Sequence, residues 1–176
     1  DNLFGALEFS AAALDAGVQP IIGCQLSIKL DDGQQTGSRP MFAEGPLVLL
    51  AQSDLGYRNI LKLLKIAYMD SEDAQRPGVT PDELCANSDD IIVLTGAADG
   101  VLGRLIRMNK TSEAADLLDA LIEAFPGRVY MEIQRHGMAE EKLTESQFID
   151  WAYARDVPLV ATNEPFFKDE GFYRAH

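Results

Sequence analysis

The stretch DVPLVATNEPFF, residues 156–167, combines a strand pattern with the polar turn that ends it. Its run 159–162 predicts a buried strand that stops in a polar and then an aromatic turn. In α/β proteins the carboxyl ends of such strands carry the functional site. Asn163 and Glu164 stand where a metal ligand or a catalytic acid is expected, whereas Phe166 stands where a second polar group is expected. Whether this strand end is an active site is therefore the central functional question.

Four further strands are predicted upstream of this stretch, and helical patterns alternate with them. The strands are expected at residues 20–28, 47–51, 90–95 and 129–134, which are short apolar or alternating runs. The clearest helical stripe consists of Ala114, Leu117, Leu118, Leu121, Ile122 and Phe125. A helix before the first strand has the stripe Phe4, Leu7, Ala11 and Leu14. This alternation predicts an α/β fold with a mainly parallel sheet, and the lack of a composition break predicts one domain.

Composition places the chain among globular proteins and argues against direct binding to nucleic acid or membrane. The 176 residues are 47% hydrophobic and 24% charged, as in globular proteins. Because the net charge is −13, we do not expect this chain alone to bind the phosphate backbone of a nucleic acid. No apolar run is long enough for a membrane helix, and no signal peptide is recognised. Because the first residue is Asp1, we expect the chain to be cut from a longer protein. Cys24 and Cys85 are far apart and form no C-x-x-C motif, so structural thiols are predicted.

Few side chains carry a catalytic pattern by themselves. No P-loop, G-x-G-x-x-G, G-x-S-x-G or H-E-x-x-H motif is present. His136, at a strand exit, is either a general base or metal ligand or a turn histidine satisfied by backbone groups. Glu132 and Gln134 alternate onto one strand face, where they either line a pocket together with His136 and Asn163 or form a solvated or barrel-lining polar pair. Glu164 is a candidate catalytic carboxylate for which the sequence places no partner acid.

Several runs, in order along nearly the whole chain, resemble one family. They are NLFGALEF at 2–9, PIIGCQ at 20–25, LLAQ at 49–52 with GYRN at 56–59, EIQRHG at 132–137 and VATN at 160–163. Together they resemble the PHP (polymerase and histidinol phosphatase) domain at the N-terminus of bacterial replicative DNA polymerase III alpha subunits. The resemblance implies a distorted β/α barrel, here truncated, with its first strands and the H-x-H and D-H motifs upstream of Asp1.

Metal-binding members of this family hold a metal cluster at the strand ends that activates water for phosphoester hydrolysis. The resemblance implies ligand-type residues at five positions, and here those positions are degenerate: Gln25 for a glutamate, Pro46 for a histidine, Ala97 for a cysteine or histidine, and Glu164 and Phe166 in place of the closing N-D-x-H pattern. One remaining carboxylate does not make a Zn²⁺ or Mn²⁺ site. The resemblance therefore predicts a domain without metal, cofactor or catalysis of its own.

For the parent chain the resemblance implies a DNA-directed DNA polymerase, a Mg²⁺-dependent nucleotidyltransferase of cytoplasmic DNA replication. The present region would be a scaffold that docks the proofreading exonuclease subunit and other replicase subunits. DNA would be contacted through other domains, with no membrane partner. Two alternatives stay open: a metal-dependent phosphoesterase or proofreading 3′–5′ exonuclease, and an unrelated α/β enzyme that uses His136 and Glu164 as acid and base.

Overall fold

The computed structural model describes residues 3–30, 43–71, 76–163 and 171. The helices are α1 (Ala6–Asp15), α2 (Asp54–Lys65), α3 (Pro81–Cys85), α4 (Val101–Arg107), α5 (Thr111–Ala124) and α6 (Ala139–Arg155). The strands are β1 (Gly23–Leu30), β2 (Ala43–Ala51), β3 (Ile91–Leu94), β4 (Val129–Ile133) and β5 (Leu159–Ala161). A π-helical turn, Ile66–Asp70, continues α2, and a 3₁₀ turn, Ala97–Asp99, follows β3. Within these ranges no helix is long and apolar enough to cross a membrane.

Polar caps explain where two of the helices begin. The Ser53 hydroxyl accepts hydrogen bonds from the backbone N–H groups of Leu55 and Gly56, so α2 starts at Asp54. Thr80 and Glu83 form a reciprocal capping box around Pro81, the first residue of α3. Both cap residues are of the types that N-caps prefer and bind groups within three positions of themselves, so these two helix starts follow from the local sequence.

The five strands form one open sheet in the order β1-β2-β3-β4-β5. β1 pairs with β2 and β2 with β3 in antiparallel fashion, whereas β3–β4 and β4–β5 are parallel. The prediction of a mainly parallel sheet is therefore wrong. The first residue of β3, Ile91, lies beside the last residue of β2, Ala51, so the connection between them returns to the end of the sheet that it left. Because the connection starts and ends at the same end of the sheet, β3 runs antiparallel to β2, even though the connection contains helices.

The outer edge of β1 is partly covered by the chain segment before α3. Val79 forms a parallel bridge with Ile28, donates its N–H to the Ser27 carbonyl at 3.0 Å and accepts the N–H of Lys29 at 2.8 Å. In the described residues the sheet does not close on itself, because β1 and β5 lie at opposite edges. The mixed α/β class is thus confirmed, while the truncated barrel stays a prediction.

One face of the sheet belongs to the hydrophobic core. The side chains on it alternate with those of the other face, and they pack against residues of α2 to α6 in one cluster; they are Leu26, Ile28, Leu47, Leu49, Ile91, Val93, Val129 and Met131. The stripe of α5 joins the same cluster through Ala114, Leu117, Leu118, Leu121 and Phe125, as predicted. The opposite face of the sheet, which includes Gln25, Pro46, Leu94 and Tyr130, is only half-buried.

Two predicted apolar segments contribute less to the core than their sequences indicate. β5 was predicted to be buried, but Leu159 is 41% exposed, because among the described residues this three-residue strand has β4 as its neighbour on one side only. The stripe of α1 is also open to solvent, with Leu7 84% and Leu14 66% exposed. Helical periodicity thus identified the stripe of α1 but not whether another element covers it.

Candidate functional site

The carboxyl ends of β3, β4 and β5 are joined by the side chain of Glu132. This residue of β4 is 4% exposed. Its Oε2 accepts the backbone N–H of Gly96 at 2.8 Å, and its Oε1 accepts the hydroxyl of Thr162, which follows β5. Each carboxylate oxygen therefore accepts one hydrogen bond from a neighbouring strand end.

A second layer of hydrogen bonds supports this carboxylate. The Thr95 hydroxyl accepts the backbone N–H of Glu132 at 2.9 Å, and the Thr162 hydroxyl accepts Nε2 of Gln134 at 3.1 Å. Thr95 is completely buried. We call these residues, Thr95, Gly96, Glu132, Gln134 and Thr162, the strand-end cluster. Since buried polar groups must be paired, the cluster accounts for Glu132 without any ligand.

Two of the degenerate positions lie next to this cluster. Ala97 directly follows Gly96 and is buried. The Pro46 carbonyl approaches Gly96 so closely that a Cβ on that glycine would lie 2.6 Å from its oxygen. Gln25 is on the same half-buried face of the sheet, because it pairs with Val48, two residues along β2 from Pro46. The tertiary structure thus brings Pro46, Ala97 and Glu132 together and leaves Gln25 one strand further away.

The side chains at these positions do not suit a metal ion. Proline and alanine have no donor atom, and the amide oxygen of glutamine is a weaker ligand than a carboxylate. Among the described residues no group of three or more His, Cys, Asp or Glu side chains is placed to hold a metal. Glu164 and Phe166, the two remaining degenerate positions, lie outside the described residues. The donor atoms of the described residues therefore do not fit the metal cluster that the resemblance implies for active relatives.

His136 lies in the turn after β4, and the carboxylate of Glu141 organises that turn. Nδ1 of the imidazole is 2.8 Å from Oε1 of Glu141. The same carboxylate accepts the backbone N–H groups of His136, Gly137 and Met138 at distances between 2.9 and 3.0 Å. These bonds, led by the backbone N–H of His136, lower the pKa of Glu141 below its usual range. The structure thus places His136 in a turn, but its ring pairs with a side-chain carboxylate and not with the backbone groups that were expected.

Asn163 and the cysteines add no further chemistry to this edge. Asn163, the residue after Thr162, is exposed. Cys24 is buried in β1 and Cys85 half-buried at the end of α3, and both are free. Burial raises the pKa of each thiol, so both are poor nucleophiles at neutral pH. The prediction that they are structural thiols agrees with this environment.

A pocket of about 220 Å³ opens near the carboxyl end of β1. Its lining includes the predicted position Pro46, but not Glu132, Gln134, His136 or Asn163. Two arginines, Arg76 and Arg104, line it as well. The pocket is therefore separate from the strand-end cluster, although both lie at the same end of the sheet.

Sequence reasoning identified Glu132 and Gln134 but missed their partners. The sequence pattern predicts that Thr162 is the last residue of a strand. It does not predict the contact with Glu132, because the two residues are 30 positions apart. Glu141 has only half of a capping-box signal: it lies three residues after Met138, the N-cap of α6, but methionine has no side-chain oxygen to cap the helix. No local pattern marks Arg104 as a pocket residue.

Comparisons with known proteins point to one family. A family model described as the PHP domain matches residues 1–136. The DNA polymerase III subunit alpha of Caulobacter vibrioides is 44% identical over 176 residues, covering 99% of this chain and 15% of that protein. The protein of the same name from Rickettsia bellii is 35% identical over 176 residues, covering 100% of this chain and 14% of that protein. The chain thus spans about 15% of the length of the curated relatives that it matches.

Proposed function

The chain belongs to the PHP domain family, and from this premise we propose that it is a catalytically silent structural domain of a bacterial DNA polymerase III alpha subunit. The polymerase activity of that longer protein would lie outside these residues and would use Mg²⁺. DNA would be bound there as well, in keeping with the net charge of −13 of the present chain. Bacterial chromosome replication would place the protein in the cytoplasm.

The observation that carries the silent assignment is the lack of donor atoms around Glu132. Each oxygen of this carboxylate accepts one hydrogen bond, from the Gly96 N–H or the Thr162 hydroxyl, and keeps a second lone pair. Pro46 and Ala97, which lie beside Gly96, supply no donor atoms, so Glu132 would be left without companion ligands at these two positions. The carboxylate instead joins three strand ends, which is a structural task.

The direct test is metal content together with hydrolytic activity. We expect the purified protein, dialysed against Zn²⁺ or Mn²⁺ and then against buffer, to retain less than one metal ion per chain. We also expect no hydrolysis of bis(p-nitrophenyl) phosphate with either metal, above the rate of the Glu132→Ala variant. Stoichiometric metal and a hydrolysis rate that Glu132→Ala abolishes would instead establish the phosphoesterase alternative.

A role in subunit docking is the second part of the proposal. Contiguous exposed apolar side chains on soluble proteins mark interaction sites, and Leu7 and Leu14 of α1 are of this kind. The partner expected from the family is the proofreading exonuclease subunit, with the other replicase subunits assembling around the same longer chain. In this proposal the separate subunit carries the exonuclease activity, and the present domain serves as its scaffold.

Co-purification with the exonuclease subunit tests this part separately. We expect the protein to retain the subunit on a column and the double variant Leu7→Ser with Leu14→Ser to lose most of it. Leu143→Ser is a matched control, because Leu143 is 67% exposed on a different helix. Failure of the wild-type protein to retain the subunit would overturn the docking role and leave the metal result unaffected.

A further inference from the structure

The outer face of α2 combines basic and apolar side chains. The buried residues of this helix lie on the side toward the core; they are Gly56, Asn59, Ile60 and Leu63. On the other side the helix exposes Leu55, Arg58, Leu61, Lys62 and Lys65, which we call the α2 stripe. Because residues three and four positions apart are neighbours on a helix, the stripe is one continuous surface.

Two cations of the stripe, Arg58 and Lys62, form no ion pair with any carboxylate of the described residues. Nζ of Lys62 donates instead to the side-chain oxygen of Asn59 at 3.0 Å. Asp54, one turn before Arg58, is the only carboxylate of α2, whereas Lys65 is paired with Asp70 at 2.8 Å. The stripe therefore presents an excess of positive charge in a chain whose net charge is −13.

Two leucines lie beside these charges and indicate the class of partner. Leu55 is 46% and Leu61 42% exposed. A phosphate backbone has no apolar group that would cover them. A second copy bound through the same stripe would bring like charges together, which is unfavourable. A protein segment that carries carboxylates beside apolar side chains complements both features of the stripe.

The contacts of α2 with the turn before β3 hold the stripe in place. The side-chain amide of Asn59 donates to the Asp89 carbonyl at 3.1 Å. Gly56 lies so close to Asp90 that a Cβ on this glycine would be 2.0 Å from the Asp90 carbonyl oxygen. Since the backbone of the helix is already fixed, binding through the stripe costs little additional ordering.

We propose that the α2 stripe binds an acidic amphipathic helix of another protein. Arg58 and Lys62 would pair with carboxylates of that helix, and Leu55 and Leu61 would contact its apolar side chains. Carboxylates three or four positions apart on the partner match the spacing of Arg58 and Lys62 on α2. The stripe shares no residue with α1 or with the strand-end cluster, so this proposal is independent of the docking role of α1 and of the metal question.

Fluorescence anisotropy with a labelled synthetic peptide tests the proposal. The probe is an amphipathic helix of about three heptads with leucine on one face and glutamate beside it, and its counterpart has glutamine in place of glutamate. We expect saturable binding of the glutamate peptide that weakens as sodium chloride is added, and roughly tenfold weaker binding of the glutamine peptide. The double variant Arg58→Glu with Lys62→Glu should weaken binding roughly tenfold, and Leu61→Ser about fivefold. Lys142→Glu is the matched control, because Lys142 is an exposed lysine of α6.

Two further measurements complete the test. Urea unfolding shows whether each variant keeps its fold, and we expect unchanged midpoints because Arg58 and Lys62 are exposed. If the double glutamate variant fails to fold, Arg58→Gln with Lys62→Gln takes its place. Binding of a short oligodeoxythymidylate that the double substitution removes, without binding of the glutamate peptide, would assign the stripe to nucleic acid and overturn the proposal. No saturable peptide binding, or equal affinities in the double variant and Lys142→Glu, would overturn it as well.

Discussion

Replacement of Glu132 by alanine tests whether this carboxylate holds the strand ends together. The substitution leaves the Gly96 N–H and the Thr162 hydroxyl without their acceptor. Hydrogen bonds to a charged group contribute about 1.5–3 kcal/mol each, so the two bonds amount to roughly 3–6 kcal/mol. Removal of a buried charge returns part of this free energy. We therefore expect Glu132→Ala to lower the free energy of unfolding by about 2–4 kcal/mol.

Two further variants separate the hydrogen bonds from the burial of the side chain. Glu132→Gln keeps the shape and one acceptor oxygen, so it should cost about 1–2 kcal/mol. Thr162→Val removes one of the two donors to Glu132 and should lie in the same range. Glu123→Ala serves as the control for the loss of a negative charge, because Glu123 is an exposed residue of α5.

Urea unfolding followed by tryptophan fluorescence measures these differences. The chain has one tryptophan, and Trp151 in α6 is only 8% exposed, so its emission reports on the core. The slope of the transition should be the same in all variants, since the surface exposed on unfolding is similar. A free energy for Glu132→Ala within about 0.5 kcal/mol of Glu123→Ala would refute the structural role of this carboxylate.

Three further outcomes follow from the described contacts. The pKa of Glu141 is lower in the folded state than in the unfolded state, where it is about 4.3. The hydrogen bonds of its carboxylate therefore stabilise the folded protein fully above about pH 4.3, and this stabilisation is lost as the pH falls through the folded-state pKa. The difference in thermal midpoint between wild type and Glu141→Gln should accordingly shrink below about pH 4.3. Leu118→Ala should cost about 2–5 kcal/mol in urea unfolding, and Leu7→Ala less than about 0.5, because only Leu118 is fully buried; equal costs would contradict the exposed stripe. Gly56→Ala would place a Cβ 2.0 Å from the Asp90 carbonyl oxygen and should cost about 1–3 kcal/mol, and a thermal midpoint at or above that of wild type would contradict this close approach.

The scarcity of donor atoms at the positions that the resemblance aligns with metal ligands could be predicted from the sequence. Gln25, Pro46 and Ala97 have poor or no donor atoms whatever their surroundings, so their effect on metal binding depends only on residue type. The partners of Glu132 could not be predicted in this way. Thr162 is 30 positions away, and a contact over that distance depends on how β4 and β5 pair.

The family was indicated by a resemblance carried by ordered sequence runs. Local patterns by themselves determined the α/β class, the stripe of α5 and the capped starts of α2 and α3, because periodicity and caps act within a few residues. Only the tertiary structure decided the antiparallel pairing of β1, β2 and β3 and the exposure of β5 and α1. Alternation tells which residues share a face of a strand, but not which strand lies beside it or what covers that face. The pocket with Arg104 has the same origin, since its lining comes from segments far apart in the chain that meet only in the folded sheet.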